Sequence, residues 1–305
     1  GYNNIPSQVL ALPVMAKQHK RSFEELVDRY LINQGCFEVI NNPFTDFEGK
    51  AAIAVDNPLD KQRAKLRTCI MNSIRINIAY NQNRQKDSIK FFEFSDIYKT
   101  SGTERHFALA ISGRVNKNAI EFNVQLDYAY LKGIVNSICK DILKVQPAYE
   151  LANKRGYDFY ESLTLNGIEI GGLGKISKET IDSKVKTSVF ACELIIDDLK
   201  VPDHNFVPTS DFPASYRDLS FSLSDLEKVG TLTELVNNTT ANHNLLRESY
   251  VFDFFQNKKL NLLKLGFRFK FQAADKSLTD EEIDQIMDKL ISDSMALDGI
   301  SIEGL

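Results

Sequence analysis

The sequence predicts an α+β protein with two domains, an antiparallel sheet with helices against it and then a smaller β-α-β-β-α-β domain. The length of 305 residues suits about two domains. In the first two-thirds of the chain, predicted strands are separated mainly by turns, with helices at the ends, which is typical of α+β folds. A segment rich in Pro, Asp and Asn then separates the two patterns. We therefore predict domains at 1–201 and 212–305, joined by a linker at 202–211.

Composition and charge limit the classes of function. Hydrophobic residues make up 43% and charged residues 26% of the chain, as in ordinary soluble globular proteins. The net charge of -4 and the pI near 5.7 argue against a generally basic surface for nucleic acid, so any RNA contact must be a local patch. Because no run of about 18 apolar residues is present, no transmembrane helix is predicted. We expect neither a membrane nor DNA as a partner.

The cysteines and histidines lie far apart. Cys36, Cys69, Cys139 and Cys192 have no paired spacing, so we interpret them as reduced, mostly buried thiols of a cytoplasmic protein. The four His are equally scattered, and no metal site is expected. Because the chain opens at Gly1 without an initiator Met, we expect a C-terminal fragment of a longer protein.

Two helices are predicted in the first part of the chain. The first begins at a capping box, Ser22-Phe-Glu-Glu25, ends at Gly35, and leads into a short strand at 36–40. The second runs from 61 to about 82, because apolar residues recur at spacings of four. Arg67 lies near its start. It either contacts a phosphate or a partner's carboxylate, or lies on a solvated helix face, and spacing alone favours the solvated face.

The remainder of the first domain is predicted as strands with one further amphipathic helix. The strands are 87–98, 107–113, 159–165, 168–173 and 189–195, and the helix is 126–145. Asn166-Gly167 predicts a tight hairpin turn between two of these strands. No catalytic residue is predicted. The Gly171–Ser177 segment lacks the spacing of a phosphate-binding loop, and no Ser or Cys nucleophile has a recognisable base partner.

The last third of the chain has the order of a ferredoxin-like domain. A strand at 217–223 precedes a capping box, Ser224-Asp-Leu-Glu227, and a helix to about 238. A hairpin follows, then a capping box at Thr279-Asp-Glu-Glu282 with its helix, and a closing strand at 299–302. In this arrangement both helices cover one face of a four-stranded sheet and leave the other face free.

The hairpin from Tyr250 to Phe271 is the strongest candidate for a binding surface. Its second strand alternates apolar and polar residues, which indicates one buried face, and a polar turn is predicted at 257–261. Between 247 and 276 seven Lys or Arg stand against three Asp or Glu, whereas 206–305 as a whole has ten against sixteen. Aromatic and cationic side chains together can stack bases and follow a phosphate backbone. Alternatively, the lysines only keep an exposed face soluble.

Several motifs, in order along nearly the whole chain, resemble the C-terminal part of the bacterial-type phenylalanine–tRNA ligase beta subunit. They are Gly1-Tyr-Asn-Asn-Ile-Pro6, Asn57-Pro-Leu with Leu66-Arg-Thr68, Asn81-Gln-Asn-Arg84 with Phe92-Glu-Phe94, Gly172-Leu-Gly174, Pro213 to Phe221, Phe252-Asp-Phe-Phe255, and Lys276 to Ile283. The resemblance implies a degenerate class II synthetase-like antiparallel sheet with helices at about 21–199. A ferredoxin-like anticodon-binding domain would follow it.

The resemblance also implies the role of the first domain. Its sheet and first helix would pack on the catalytic alpha subunit, in an alpha-beta heterodimer that is doubled to a heterotetramer. The whole enzyme uses ATP and magnesium to attach phenylalanine to its tRNA, and neither would be bound by this fragment. The strand at 91–97 has no Arg, and Gly174 is followed by Lys175 and no Gly-rich helix, which agrees with a core that has lost catalysis.

The resemblance assigns the RNA-binding residues of the second domain. Asp253 and Phe255 correspond to the Asp and Tyr that meet the first anticodon base, although Phe255 lacks the hydroxyl. Gly266 stands where the family has a polar side chain, so it offers only its backbone. Salt-dependent phosphate contacts are expected from Lys264, Arg268 and Lys270. The predicted set of RNA-binding residues also includes Arg217.

Two other hypotheses remain open. The chain could be a stand-alone RNA-binding or subunit-assembly protein on a class II synthetase-like core, in which the hairpin touches protein. It could also be a free-standing enzyme on such a core, against which the missing strand Arg argues. Salt dependence of RNA binding distinguishes the first of these, and ATP binding distinguishes the second.

Overall fold

The computed structural model describes residues 2–6, 21–47, 51–116, 124–203, 206, 208–257 and 262–302. The chain divides into two compact units, Gly1–Asp203 (unit 1) and His204–Leu305 (unit 2). The exact limits of the predicted linker stay a prediction.

Unit 1 is an α+β structure built on a large sheet. In chain order its elements are α1 (Phe23–Asn33), β1 (Phe37–Glu38), β2 (Phe44–Thr45), β3 (Lys65–Leu66), α2 (Met71–Gln82), β4 (Ser88–Lys99), β5 (Gly102–Gly113), α3 (Tyr128–Ser137) with a π-helical turn (Ile138–Ile142), β6 (Ala148–Ala152), β7 (Tyr157–Leu165), β8 (Ile168–Ile176) and β9 (Val189–Ile195). Within the described residues the sheet has seven strands, in the order β1-β4-β5-β9-β8-β7-β6. Strand β1 is parallel to β4, and the other neighbours are antiparallel.

Helices cover both faces of this sheet. Along β5, Phe107, Leu109 and Ile111 pack in one core with α1 and α3, while Ala108 and Ala110 pack in another with α2. A strand that is buried on both faces has a continuous run of apolar residues in its sequence. The predicted antiparallel sheet with helices against it is confirmed.

Local signals predicted the ends of several elements correctly. The capping box of α1 is confirmed, since Ser22 Oγ accepts the N–H of Glu25 at 3.2 Å and the Glu25 carboxylate accepts the N–H of Ser22 at 2.6 Å. The turn at Asn166-Gly167 joins β7 to β8, and both residues have positive φ (50° and 82°), as a tight hairpin turn requires. Strand β6 was not predicted.

The predicted helix from 61 to 82 is wrong in its first half. Lys61–Arg63 form a 3-10 turn, β3 pairs with β2, and helix α2 begins only at Met71. The spacing of four from Leu66 to the helix was a coincidence, because Leu66 lies in a strand. Local periodicity cannot detect strand pairing between segments that lie far apart in the sequence.

Neither interpretation of Arg67 is correct, because its side chain is 2% exposed. Its Nη2 lies 2.9 Å from Glu93 Oε1, and its backbone N–H donates to the carbonyl of Pro43 at 2.8 Å. The Glu93 carboxylate also accepts a hydrogen bond of 2.7 Å from Asn41 Nδ2. Arg67 is therefore half of a buried ion pair that joins β4 to the segments before it.

Unit 2 has the predicted ferredoxin-like order. Its elements are β10 (Ser215–Leu223), α4 (Glu227–Asn242), β11 (Leu246–Asn257), β12 (Leu262–Phe271), α5 (Asp280–Met295) and β13 (Ile300–Ile302). Across the described residues the four strands lie in the antiparallel order β11-β12-β10-β13. Alternate residues of β12, from Leu263 to Phe271, are buried with residues of α4 and α5. The two helices therefore cover one face of the sheet, as predicted.

The two predicted capping boxes of unit 2 have different outcomes. The box at α5 is confirmed, with Thr279 Oγ1 accepting the N–H of Glu282 at 3.4 Å. The box at 224–227 is wrong. Ser224 Oγ donates to Asp225 at 2.9 Å, and it is Asp225 Oδ1 that accepts a helix N–H, from Lys228 at 3.1 Å. An Asp beside the Ser competes for the same role at a helix start.

Candidate nucleic-acid interface

The face of the unit 2 sheet that α4 and α5 do not cover carries most of the predicted RNA-binding residues. We call this surface the open face. Its positions along β12 are Lys264, Gly266, Arg268 and Lys270, of which Gly266 is itself buried, and they alternate with the residues that pack against the helices. Across from them lie Ser222, Ser220, Asp218 and Tyr216 on β10, and Phe255, Asp253, Tyr250 and Glu248 on β11.

A β-bulge in β11 brings two consecutive side chains to this face. The register shifts between Val251 and Asp253, so Phe252 is the extra residue. A Cβ atom added to Gly266 would lie 3.0 Å from two ring atoms of Phe252 and 3.1 Å from the Cβ of Asp253. The structure thus places Phe252 and Asp253 side by side over Gly266, where a larger residue would meet the Phe252 ring.

Four aromatic side chains on the open face remain accessible. Tyr216, Tyr250, Phe252 and Phe255 are between 41% and 51% exposed. Phe255 lies two positions beyond Asp253 on the edge strand β11, and both are exposed. An aromatic ring can stack a base, while a neighbouring carboxylate accepts hydrogen bonds from the base's N–H groups.

The charge of Arg268 is already engaged within the protein. Its Nε and Nη2 donate to the two carboxylate oxygens of Asp218 at 2.8 and 2.7 Å, and its Cζ lies 5.0 Å from the centroid of the Phe252 ring. The hydrogen bond from Arg268 lowers the pKa of Asp218, so this carboxylate stays ionised at neutral pH. The pair is neutral overall. On β12 Lys264 and Lys270 lie one on each side of Arg268, and they are further candidates for phosphate contacts.

Arg217 does not lie with the other predicted residues. It is directly across from the buried Phe269, on the side of the sheet covered by helices. Its guanidinium is ion-paired with Asp280 and lies 3.8 Å from Asp284, both on α5. Arg217 therefore links the sheet to α5, and strict alternation along β10 could have revealed its side.

The open face contains groups that the sequence prediction did not name, namely Tyr216, Asp218, Tyr250 and Phe252. The bulge hid Phe252, because no local pattern shows where an extra residue interrupts the alternation. Asp218 becomes informative only once the pairing of β10 with β12 is known. The predicted turn at 257–261 lies outside the described residues except for Asn257.

Unit 1 has a cavity of about 340 Å³ beside a buried acid–imidazole pair. Glu193 accepts the N–H groups of Ile70 and Met71 at 3.0 and 3.2 Å, and it contacts His106 Nδ1 at 3.0 Å. Burial raises the pKa of Glu193, but the hydrogen bonds from His106 and Ile70 outweigh burial, and the pKa is lowered. Glu193 thus accepts hydrogen bonds from backbone N–H groups at the start of helix α2, which have no partner within the helix.

The described residues contain no group of three or more His, Cys, Asp or Glu arranged to hold a metal ion. In the same part of the chain, no helix is long and apolar enough to cross a membrane. The predicted burial of the thiols is confirmed for Cys36, Cys139 and Cys192. Burial raises the pKa of the Cys36 thiol to about 11, so it is not reactive at neutral pH.

Comparisons with known proteins agree with this architecture. Residues 5–196 match the family described as phenylalanyl tRNA synthetase beta chain CLM domain, and residues 210–297 match the ferredoxin-fold anticodon binding domain. The phenylalanine–tRNA ligase beta subunit of Bacillus licheniformis is 24% identical over 320 residues, covering 95% of this chain and 39% of the relative. That of Mesoplasma florum is 25% identical over 319 residues, covering 96% and 40%.

The chain spans about two-fifths of the length of these curated relatives. Among solved structures, a pyrrolysyl tRNA synthetase from Desulfitobacterium hafniense aligns with a TM-score of 0.45 and 12% identity, over 58% of this chain and 66% of that chain. The family match covers well over half of the residues. The chain therefore belongs to the phenylalanyl-tRNA synthetase beta chain family.

Proposed function

We propose that this chain is the non-catalytic C-terminal region of a phenylalanine–tRNA ligase beta subunit. It supports the ATP-dependent attachment of phenylalanine to its tRNA by binding the tRNA anticodon region and by packing on the catalytic alpha subunit. The observation that carries the proposal is the open face. It holds Asp253 and Phe255 together on a segment that matches an anticodon-binding family.

Binding of the anticodon follows from the chemistry of this face. The Phe255 ring stacks on one base, which contributes about 1–3 kcal/mol. Asp253 accepts hydrogen bonds from the donor groups of that base, and this selects among bases because the four differ in their donors. Lys264 and Lys270 attract the phosphates beside it. Phe255 has no hydroxyl, so discrimination depends on Asp253.

The contact with the alpha subunit is proposed for the α1–β1 segment. Ile32, Phe37 and Ile40 are exposed there, and β1 is an edge strand of the unit 1 sheet. Large apolar side chains exposed together on consecutive elements are typical of protein–protein interfaces.

In this proposal ATP and magnesium are bound by the alpha subunit in the cytoplasm, and this chain binds the tRNA and the alpha subunit. The arginines near β4 support that division. Arg67 is paired with Glu93, and Arg105 is paired with Glu24 at 2.8 Å and with Asp96 at 3.2 Å. Each guanidinium already holds elements of the fold together.

The test is binding of phenylalanine tRNA to the 305-residue chain, measured by filter binding. We expect Lys264→Glu with Arg268→Glu to abolish binding, because two cations on the open face become anions, while circular dichroism shows an unchanged fold. The matched control is Lys289→Glu, a charge reversal on α5, which lies on the other side of the sheet. Unchanged affinity of the double variant would contradict the proposal. Capture of the alpha subunit without any tRNA binding would favour the assembly hypothesis.

A further inference from the structure

Arg268 forms a fixed plane on the open face. Its fork of N–H groups is held by both oxygens of Asp218, and the guanidinium lies 5.0 Å from the centre of the Phe252 ring. Tyr250 lies directly across from Arg268 on β11. The side chain of Arg268 is nevertheless 40% exposed. Orientation and accessibility together make this group a surface for stacking, which we call the arginine platform (Arg268, Phe252 and Tyr250).

Neutralisation by Asp218 changes what Arg268 can bind. A guanidinium that is already paired attracts a phosphate only weakly, because the nearby carboxylate repels the same anion. The side chain is still 40% exposed, and RNA-binding proteins stack bases on Arg guanidinium planes as well as on aromatic rings. The contact that the arginine platform offers is therefore to a base.

The Phe252 ring adjoins Asp253, but the Tyr250 end of the arginine platform lies away from Phe255. Phe255 is across from Lys264, and Tyr250 is across from Arg268, four residues further along β12. Four residues of a strand span about 13 Å. Because stacked bases are only about 3.4 Å apart, bases at both positions must be unstacked from each other. Four-stranded sheets of this kind hold two or three separated bases on aromatic side chains.

We propose that the open face binds two neighbouring, unstacked bases of a single-stranded RNA loop, the first at Asp253 and Phe255 and the second on the arginine platform. The proposal rests on the proposed function, because it requires the open face to meet an anticodon loop. It assigns Arg268 to base stacking instead of a phosphate contact. It also gives Gly266 a role, since the absence of a side chain there lets the Phe252 ring lie beside Arg268.

The test uses the 305-residue chain and the anticodon stem-loop of phenylalanine tRNA. The fluorescent base 2-aminopurine replaces one anticodon base at a time, and its emission reports unstacking and restacking on the protein. The main variant is Arg268→Lys, which keeps the charge but loses the plane. Phe252→Leu keeps an apolar cover over Gly266 without an aromatic ring. Arg247→Lys is the matched control, because Arg247 lies at the far end of β11 and donates to the carbonyl of Gln272 at 2.8 Å.

We expect an emission change at two neighbouring anticodon positions with the unaltered chain. Arg268→Lys and Phe252→Leu should remove the change at one position, keep it at the other and weaken binding about tenfold. Arg247→Lys should alter neither signal. If only one base responds, or if both responses survive Arg268→Lys and Phe252→Leu, the arginine platform is overturned and the proposed function stands. If the unaltered chain does not bind the stem-loop, both fail.

Discussion

At the scale of single residues, the Arg67–Glu93 pair shows how a conspicuous charge can serve the fold. Both side chains are 2% exposed, and Asn41 supplies a further hydrogen bond to Glu93. Arg67 Nη1 has no hydrogen-bond partner among the described residues. The buried charge of Arg67 is therefore compensated through its other nitrogens, above all by the ion pair of Nη2 with Glu93. A buried pair contributes little over an apolar replacement of both residues, but removing one partner leaves an uncompensated charge.

Glu93→Ala should therefore destabilise unit 1 by about 3–5 kcal/mol, because Arg67 would remain buried without a counter-charge. The measurement is urea unfolding of the 305-residue chain, followed by circular dichroism. The control is Glu150→Ala, at an exposed position on β6, which should change the unfolding free energy by less than about 0.5 kcal/mol. Equal stability of Glu93→Ala and the unaltered chain would contradict this account.

At the scale of elements, glycines determine how closely β8 approaches its neighbours. A Cβ added to Gly174 would lie 2.2 Å from the carbonyl oxygen of Phe159, and one added to Gly172 would lie 2.2 Å from that of Glu161. Both carbonyls belong to β7. Backbone atoms cannot move away without breaking the pairing of β7 with β8.

Gly172→Ala and Gly174→Ala should each cost more than about 2 kcal/mol of stability, because strand separation must increase. The comparison variant is Gly167→Ala in the turn, because no atom lies within 4 Å of a Cβ added there. Its φ of +82° adds backbone strain but no clash. Thermal unfolding of the three variants measures the difference. A smaller loss for Gly172→Ala than for Gly167→Ala would refute the role of close approach.

Glu193 connects β9 to the start of α2 and makes stability depend on pH. Its pKa is lowered in the folded chain, so its stabilising effect is complete above the ordinary value of 4.5 and is lost as the pH falls through the lower folded pKa. We expect Glu193→Gln to reduce the loss of stability in acid. The measurement is the urea midpoint at several values of pH below 5. An unchanged acid dependence in the variant would assign that dependence to other groups.

At the scale of the whole molecule, RNA binding must occur against a net charge of -4. A local patch then determines the salt dependence, since each phosphate contact to a single strand adds about -0.7 to the slope of log K against log salt concentration. Lys264→Ala should reduce the magnitude of that slope by about 0.7. Arg268→Lys should leave it unchanged, because the charge is conserved and Asp218 already neutralises it. Filter binding over a range of salt concentrations would decide this, and equal slopes for all three proteins would show that Lys264 does not contact phosphate.

Sequence patterns predicted the fold where the signals are local. Ser22, Thr279 and Asn166-Gly167 each depend on residues within a few positions, and the alternation of β12 shows its buried face. Arg67 and Asp218 depend on partners that lie 26 and 50 positions away. Pairing across such distances is set by the whole fold, so charge and spacing alone could not reveal it.

The bulge at Phe252 determines which residues of the edge strand β11 lie on the open face after that point. Counting alternate residues from Tyr250 without an extra position would direct Asp253 and Phe255 toward the helices. One inserted residue reverses that assignment for the rest of β11. Tyr250 and Asp253 are three residues apart, yet both lie on the open face because of the bulge. The choice of Asp253 and Phe255 as the base-reading pair therefore depends on the bulge as much as on their chemistry. Deleting Phe252 would remove the bulge and restore regular alternation, so Asp253 and Phe255 would stay on the open face while the arginine platform lost the Phe252 ring.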